Sequence, residues 1–337
     1  MEVILSENLG EYGALYGDCQ MPVKLFLEKR GEAFEQETIL KKLFKMYESD
    51  NFGDTFTGMG GMGGFKPVGE NGSYPNDGMK MGYEKQIRYK TWKDQFAISA
   101  EMIEDGHLVN FEQAPAAFMQ GYGRTREQFG ASLYANAMMG KTSMKFAGGT
   151  FDIAGADGKA LFAPNHKLKH TNTTMANMFK DEFSVEALDM AETAMHLFEG
   201  DDGQILDVAP TTILIPDNAD LKRKVFGAIG ADKHPDTSNN GFNYQFGRWN
   251  VVVWSYLNKY LTKGLKPWVL LDQSFNELYG GALFGDRKKL VVRSVIDDDT
   301  DANVWKGRSR FNATGNDWRF ACVGGMPDGV ELSTLDL

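Results

Sequence analysis

The 337-residue sequence predicts an α+β fold, and three patterns carry that expectation. Apolar and polar residues alternate strictly over Lys80–Lys90, the signature of a β-strand, whose successive side chains leave on opposite faces. A stripe from Phe111 to Ala137 returns every three or four residues, the period of a helix. Beyond residue 184, helix, strand and helix are followed by several strands, an order that fits a mixed sheet-and-helix body.

From the N-terminus, Ile39, Leu40, Leu43, Phe44 and Tyr47 form a helical stripe and Glu37 precedes Lys41 by one turn, so a short amphipathic helix is expected over 36–47. Asn51 to Asp77 is Gly-rich, with Gly58-Met59-Gly60-Gly61-Met62-Gly63-Gly64 at its centre, and has too few aliphatic residues to bury a core. The strand that follows sets Met81, Tyr83, Ile87, Tyr89 and Thr91 against Gly82, Glu84, Gln86, Arg88 and Lys90. Over Lys80–Lys90 it would reach about 36 Å, near twice a common strand, and should project past a compact body. After Trp92 the apolar parity moves to Phe96, Ile98 and Met102, which requires a bend or bulge.

The long stripe runs Phe111, Pro115, Phe118, Tyr122, Thr125, Phe129, Leu133, Ala137. Proline suits a first helical turn, so the regular helix is placed from Pro115 to Met139, a spine about 37 Å long. Phe146–Phe162 reads as Gly-punctuated hairpin. Next come a helix over Val185–Phe198, capped by Ser184 and closed by Gly200, a strand over Thr211–Ile215 and a helix over Asp217–Ile229. Trp249–Tyr256, Trp268–Leu271, Leu290–Val295 and Trp318–Val323 are the later strands. No repeat of solenoid or propeller length is visible.

Hydrophobic residues at 42% and charged residues at 24% are ordinary globular usage. The chain is long enough for about two domain-sized cores. Cys19 and Cys322 stand far apart, with no metal-type spacing around them. Neither a basic leader nor an apolar run of membrane-spanning length is present, so the protein is expected to be soluble and cytoplasmic when made, with no membrane partner. The formal charge, 36 − 46 = −10, argues against a dedicated nucleic-acid binder, and Lys222-Arg223-Lys224 and Arg287-Lys288-Lys289 read as solvated faces.

The sharpest chemical motif is Gly140-Lys141-Thr142 after Ala135–Met139, with Trp268–Asp272 imitating the acidic strand of a nucleotide hydrolase. A phosphate loop needs a strand before it and a helix N-terminus after it. Here the long helix comes first, so the expected reading is a helix C-cap with Lys141 at the negative end of the dipole. His166 and His170 have helical spacing, but Pro164 and the Thr171–Thr174 run disfavour a helix, and no third ligand is evident. His196 is read as packed or solvated, and Asp201-Asp202 and Asp297-Asp298-Asp299 as solvated turns. No catalytic residue, metal ligand or cofactor site is expected, and the protein is read as a non-enzyme.

The order of elements resembles the Hong Kong 97-type fold of tailed-bacteriophage major capsid proteins. Three stretches are similar to the Mu-like major head subunit branch: Tyr83–Tyr89 running into Ile98-Ser99-Ala100-Glu101-Met102-Ile103-Glu104-Asp105, Gly158–His166, and Trp305-Lys306-Gly307-Arg308-Ser309-Arg310-Phe311. The resemblance implies an N-terminal arm (1–50), an extended E-loop hairpin (51–98), a peripheral domain with the spine helix (99–160 and 283–337) and an axial domain (161–282). It implies a virion protein, assembled in the bacterial host cytoplasm as pentamers and hexamers of an icosahedral shell. Implied partners are other copies of the chain, a portal and packaged double-stranded DNA held without sequence preference. Because no long charged coiled-coil segment precedes the arm, a separate scaffolding protein is also implied. The acidic balance suits a container whose interior attracts its DNA only weakly or repels it, so that the DNA can move during filling and ejection.

Tyr83, Ile87, Tyr89 and Trp92 are expected at contacts between subunits, since a two-faced aromatic strand on a monomer is an aggregation hazard. An encapsulin-like cargo shell is the main alternative and a nucleotide hydrolase the remote one; the length of Asn51–Asp94 favours the phage reading. Some proteins of this fold join a Lys to an Asn between subunits. Lys66, Lys80 and Lys85 with Asn312 and Asn316 supply those groups, but the lysines read as solvated, so a non-covalent lattice is expected.

Overall fold

The computed structural model describes residues 4–6, 27, 29–31, 34, 38–59, 65–70, 72–74, 76, 81–99, 101, 108–171, 173–230, 243–297, 299–300 and 302–335. Its strands are β1 (Ile4–Ser6), β2 (Lys45–Glu48), β3 (Gly53–Met59), β4 (Met81–Arg88), β5 (Lys90–Ile98), β6 (Ser143–Phe146), β7 (Gly149–Asp152), β8 (His166–Lys167) and β9 (Thr174–Met175). They continue as β10 (Thr212–Pro216), β11 (Asn250–Trp254), β12 (Trp268–Leu271), β13 (Ala282–Asp297), β14 (Ala302–Gly315) and β15 (Ala321–Gly324). The helices are α1 (Leu40–Leu43), α2 (Leu108–Met138), α3 (Val185–His196), α4 (Ala219–Ile229), α5 (Leu257–Tyr260) and α6 (Gln273–Tyr279).

The spine helix is α2, with 31 residues. Phe129, Leu133 and Ala137 are fully buried along the expected stripe, and Phe118 nearly so. It starts at Leu108, and Pro115 lies inside it. Proline in a helix interior removes one N–H donor, here the partner of the Phe111 carbonyl, and the packed turns that follow carry the helix through that loss. At its end Gly140 adopts φ +67°. Its N–H bonds the Ala137 carbonyl at 2.9 Å, and the Lys141 N–H bonds that of Asn136 at 3.0 Å, the paired closure of a left-handed cap. The chain then enters β6, so no helix N-terminus faces a phosphate. Asp272 caps α6 by accepting from the Phe275 N–H at 2.9 Å. The phosphate-loop imitation is a helix end and a helix start.

Of the helix expected over 36–47, the described residues, 38–47, form one turn, Leu40–Leu43. Two donors meet the Leu43 carbonyl, Tyr134 Oη at 2.7 Å and Asn276 Nδ2 at 3.3 Å, so it does not continue the helix. Phe44 turns extended at φ −122° and ψ 147°. β2 then pairs parallel with β13 over Lys45–Glu48. The helical stripe nevertheless buries Leu40, Leu43 and Phe44 against the spine helix. Gly130 makes room: a Cβ there would stand 2.5 Å from Leu40 Cδ2.

Two sheets flank this spine. In the first, strands run β1-β13-β14-β5, with β2 also on β13; in the second, β11-β10-β12-β15. Leu290–Val295 is the middle of β13, which has 16 residues, and its partner β14 escaped the sequence reading. The reason is compositional: β14 alternates Lys306, Arg308 and Arg310 with Gly307 and Ser309 rather than polar with apolar residues. β15 pairs with β12. The C-terminal strand therefore belongs with the sheet of residues 161–282, not with residues 283–315 as the expected division had it. A main core joins the spine helix to both sheets, and a smaller one of Leu27, Phe118, Met119, Leu290, Val292 and Trp305 seals its N-terminal half on β13 and β14.

Candidate assembly surface

β3 and β4 form an antiparallel hairpin arm from Gly53↔Arg88 to Met59↔Met81. β3 lies in the stretch read as coil; its short Gly- and Thr-rich run has no apolar alternation strong enough to announce a strand. From Glu84 on, β4 keeps the expected parity, with Lys85 and Ile87 buried and Glu84, Gln86 and Arg88 exposed, while at its start Met81 is exposed and Gly82 buried. The parity switch comes at Tyr89, between β4 and β5, earlier than Trp92.

The root of the arm is fixed from both sides. The Tyr89 hydroxyl donates to Asp54, whose carboxylate also accepts from Ser49 Oγ at 2.9 Å and Asn51 Nδ2 at 3.0 Å. The Tyr47 hydroxyl stands 3.1 Å from that of Tyr89. Burial first, then Asp54 as acceptor, pushes Tyr89 up to about 12. Burial opposes the ionisation of Asp54, but the three donors outweigh it and hold the carboxyl below its usual range. Beneath, Arg126 of the spine helix grips Asp286 through two nitrogens at 2.6 and 2.8 Å and lies 4.7 Å over the Phe284 ring. Trp92 stacks on Phe311 at 4.8 Å and on Phe151 at 5.9 Å, and donates from Nε1 to the Phe311 carbonyl at 3.2 Å.

The arm also lies against its own body. Lys85 Nζ bonds Asp152 at 2.8 Å, Lys169 Nζ donates to the Gly82 carbonyl at 2.6 Å, and the His170 ring to the Met81 carbonyl at 3.0 Å. Lys169 also stands 5.6 Å over the Tyr83 ring. Over β4, at least, the strand does not project.

Of the four residues expected between subunits, Ile87 and Tyr89 are 1% and 4% exposed and are covered within the subunit. Trp92 and Tyr83 are half-buried. What the arm leaves uncovered is a different apolar set: Phe52, Phe65, Val68, Tyr74 and Met81, with Phe65 and Tyr74 essentially fully exposed. Met81 was read as part of the alternating strand; the other four went unread because they are isolated in the Gly-rich stretch, with no period to mark them.

A family model described as phage capsid protein matches residues 82–324, more than half of the chain. The chain belongs to the phage capsid protein family. Similar solved structures include a capsid of cyanophage P-SCSP1u, at 12% identity over 85% of this chain and 87% of that one, with a TM-score of 0.48. Mycobacterium phage Patience gives 12% over 97% and 91% at 0.49, and a virus-like particle from Pyrococcus furiosus 8% over 89% and 97% at 0.46. A comparison with curated proteins gave no match.

In this capsid chain the chemically suggestive residues serve the fold. His166 is fully buried, stacked 4.4 Å from Trp318, 2.6 Å from Asp157 and 3.1 Å from Asn177 Oδ1. Asp201, expected in a solvated turn, is 2% exposed. It bonds Arg319 at 2.6 Å, which also holds Asp317 at 3.1 Å. The hydrophobic flanks of Arg319 gave no hint of this, since its partner carboxylate lies 118 positions away in the chain. His196 pairs with Asp207 at 2.8 Å on the surface, and Thr300 closes a turn on Asp297 at 2.8 Å. No group of three metal-ligating side chains occurs among the described residues. No helix among them is long and apolar enough to cross a membrane. Burial pushes the Cys322 thiol well above its usual range; Cys19 lies outside the described residues.

Proposed function

We propose that this phage capsid protein is the major head subunit. It assembles as pentamers and hexamers, with a separate scaffolding protein and a portal, into an icosahedral shell around double-stranded DNA in the host cytoplasm, and does so without catalysis. The observation that carries this reading is the arm's exposed apolar set, which a lone subunit cannot cover and a neighbouring subunit can. Ile87, Tyr89 and Trp92 hold the arm root rigid, and Tyr83, Phe65 and Tyr74 make the contact. Residues 99–160 and 283–315 form the peripheral domain; residues 161–282 with 318–335 form the axial domain, where exposed Phe226, Tyr244 and Phe246 reach the centres of capsomers.

The test is the double variant Phe65→Ser, Tyr74→Ser. It should leave a folded subunit, by circular dichroism, that no longer forms particles; particles at wild-type yield would contradict the role given to the arm. Nuclease-protected DNA inside purified wild-type shells separates a phage head from an encapsulin-like compartment, whose shells would hold protein.

A further inference from the structure

The first sheet has two faces of opposite character. One packs on the spine helix through Leu290, Val292 and Trp305. The other presents three cross-strand rows over β13, β14 and β5: Arg293, Lys306 and Gln95; then Val291, Arg308 and Lys93; then Lys288, Arg310 and Thr91. These rows border a groove of about 690 Å³ in which Asp94 is the one carboxylate among the described lining residues. Along each strand the charges repeat about every 7 Å, and across strands about every 5 Å.

Three direct neighbours in these rows are like-charged: Arg293 with Lys306, Arg308 with Lys93, and Lys288 with Arg310. Like charges opposite one another weaken a sheet, so folding alone does not account for them. Burial and the charges of Arg287 and Arg308 hold the Arg310 guanidinium below its ordinary range, and its Nε is buried without a hydrogen-bond partner. Four other cations, Lys222, Lys224 and Lys266 outside this sheet and Lys289 on β13, each have a carboxylate within 3.3 Å. Among the described residues Lys93, Lys288, Arg293, Lys306 and Arg308 have none. In a chain of net charge −10, this is a local reversal of sign.

Among the described residues the groove is lined by no aromatic side chain and, apart from Val291, no aliphatic one. A protein segment would find no anchor there, and a single nucleic-acid strand no stacking platform. A duplex backbone needs only the charges. We propose that this face binds the phosphodiester backbone of double-stranded DNA without sequence preference. The proposal rests on the head-subunit reading and adds to it the face that meets the packaged DNA. A wall acidic overall thus carries one cationic strip per subunit.

The purified full-length chain, titrated with a short fluorescent duplex at several NaCl concentrations, tests this, with particle formation followed separately by light scattering on the same samples. The logarithm of affinity should fall linearly with that of salt, and Lys93→Gln, Lys306→Gln and Arg308→Gln should each reduce the slope by about 0.9. Lys222→Gln with Lys224→Gln should leave it unchanged. The pair Lys93→Gln, Arg308→Gln removes a cross-strand repulsion, so its melting temperature should not fall, which excludes unfolding as the cause. Absence of salt-dependent binding by wild type, or binding by the variants that equals wild type, overturns the proposal while the shell reading stands on the particles. Folded variants that keep DNA binding but lose particles would overturn it in favour of an acidic segment of a second copy. Absence of wild-type particles would count against the shell reading alone.

Discussion

Buried polar groups decide much of this subunit at the scale of single residues. Asp157 is shielded from water, which by itself would raise its pKa, but the hydrogen bond and charge of His166 outweigh burial and hold the carboxyl below its usual range. A carboxyl whose folded-state pKa lies below its unfolded value contributes stability that is complete above about pH 4 and lost as pH falls through the folded value. Asp157→Asn should therefore flatten the acid limb of a urea-midpoint-versus-pH curve below about pH 4 while lowering the plateau above it. An acid limb as steep as in wild type would show that Asp157 is not the group responsible. Arg319, clamped between Asp201 and Asp317 and backed by Trp318, is the other fixed point of this region. Its pairing ties the turn at 200–203 to the strand β15 that follows it.

At the scale of elements, packing overrides propensity in both directions. Gly130 costs the spine helix about 1 kcal/mol relative to alanine by intrinsic preference. A Cβ there would collide with Leu40 and crowd Phe44, both buried. Overpacking of this kind costs about 1–3 kcal/mol, so Gly130→Ala should destabilise the subunit, and a raised melting temperature would mean that Leu40 can move aside. The same contest explains what could be read from the sequence. The spine stripe, the Ser184 cap and the strand Trp268–Leu271 were legible because their determinants are local. The strands β2 and β14 were not: β2 carries a helical pattern and becomes a strand only because β13 offers it an edge, and the outward positions of β14 are cationic. For the arm, alternation identified its inward face but not whether the cover comes from the same subunit or the next. Ile87 and Tyr89 proved to be covered at home.

At the scale of the whole molecule, three of the groups that could lock a shell covalently, Lys85, Asn312 and Asn316, are occupied. Lys85 is buried against Asp152, a correction to its expected solvent exposure, and Lys80 lies outside the described residues. Asn312 and Asn316 are 8% and 3% exposed, and their amides donate to the Arg88 and Gly280 carbonyls. An isopeptide bond would have to break those contacts first. Shells boiled in SDS should thus run as one band near 37.5 kDa, and a ladder of higher multimers would overturn the non-covalent lattice.

If the subunit completes its surface only in a closed shell, the size of the particles it forms will show it. The purified chain, at high concentration and when produced together with its scaffolding protein, is measured by light scattering and negative-stain microscopy. Closed megadalton particles of uniform diameter are expected; a compact monomer under both conditions would contradict assembly into a shell.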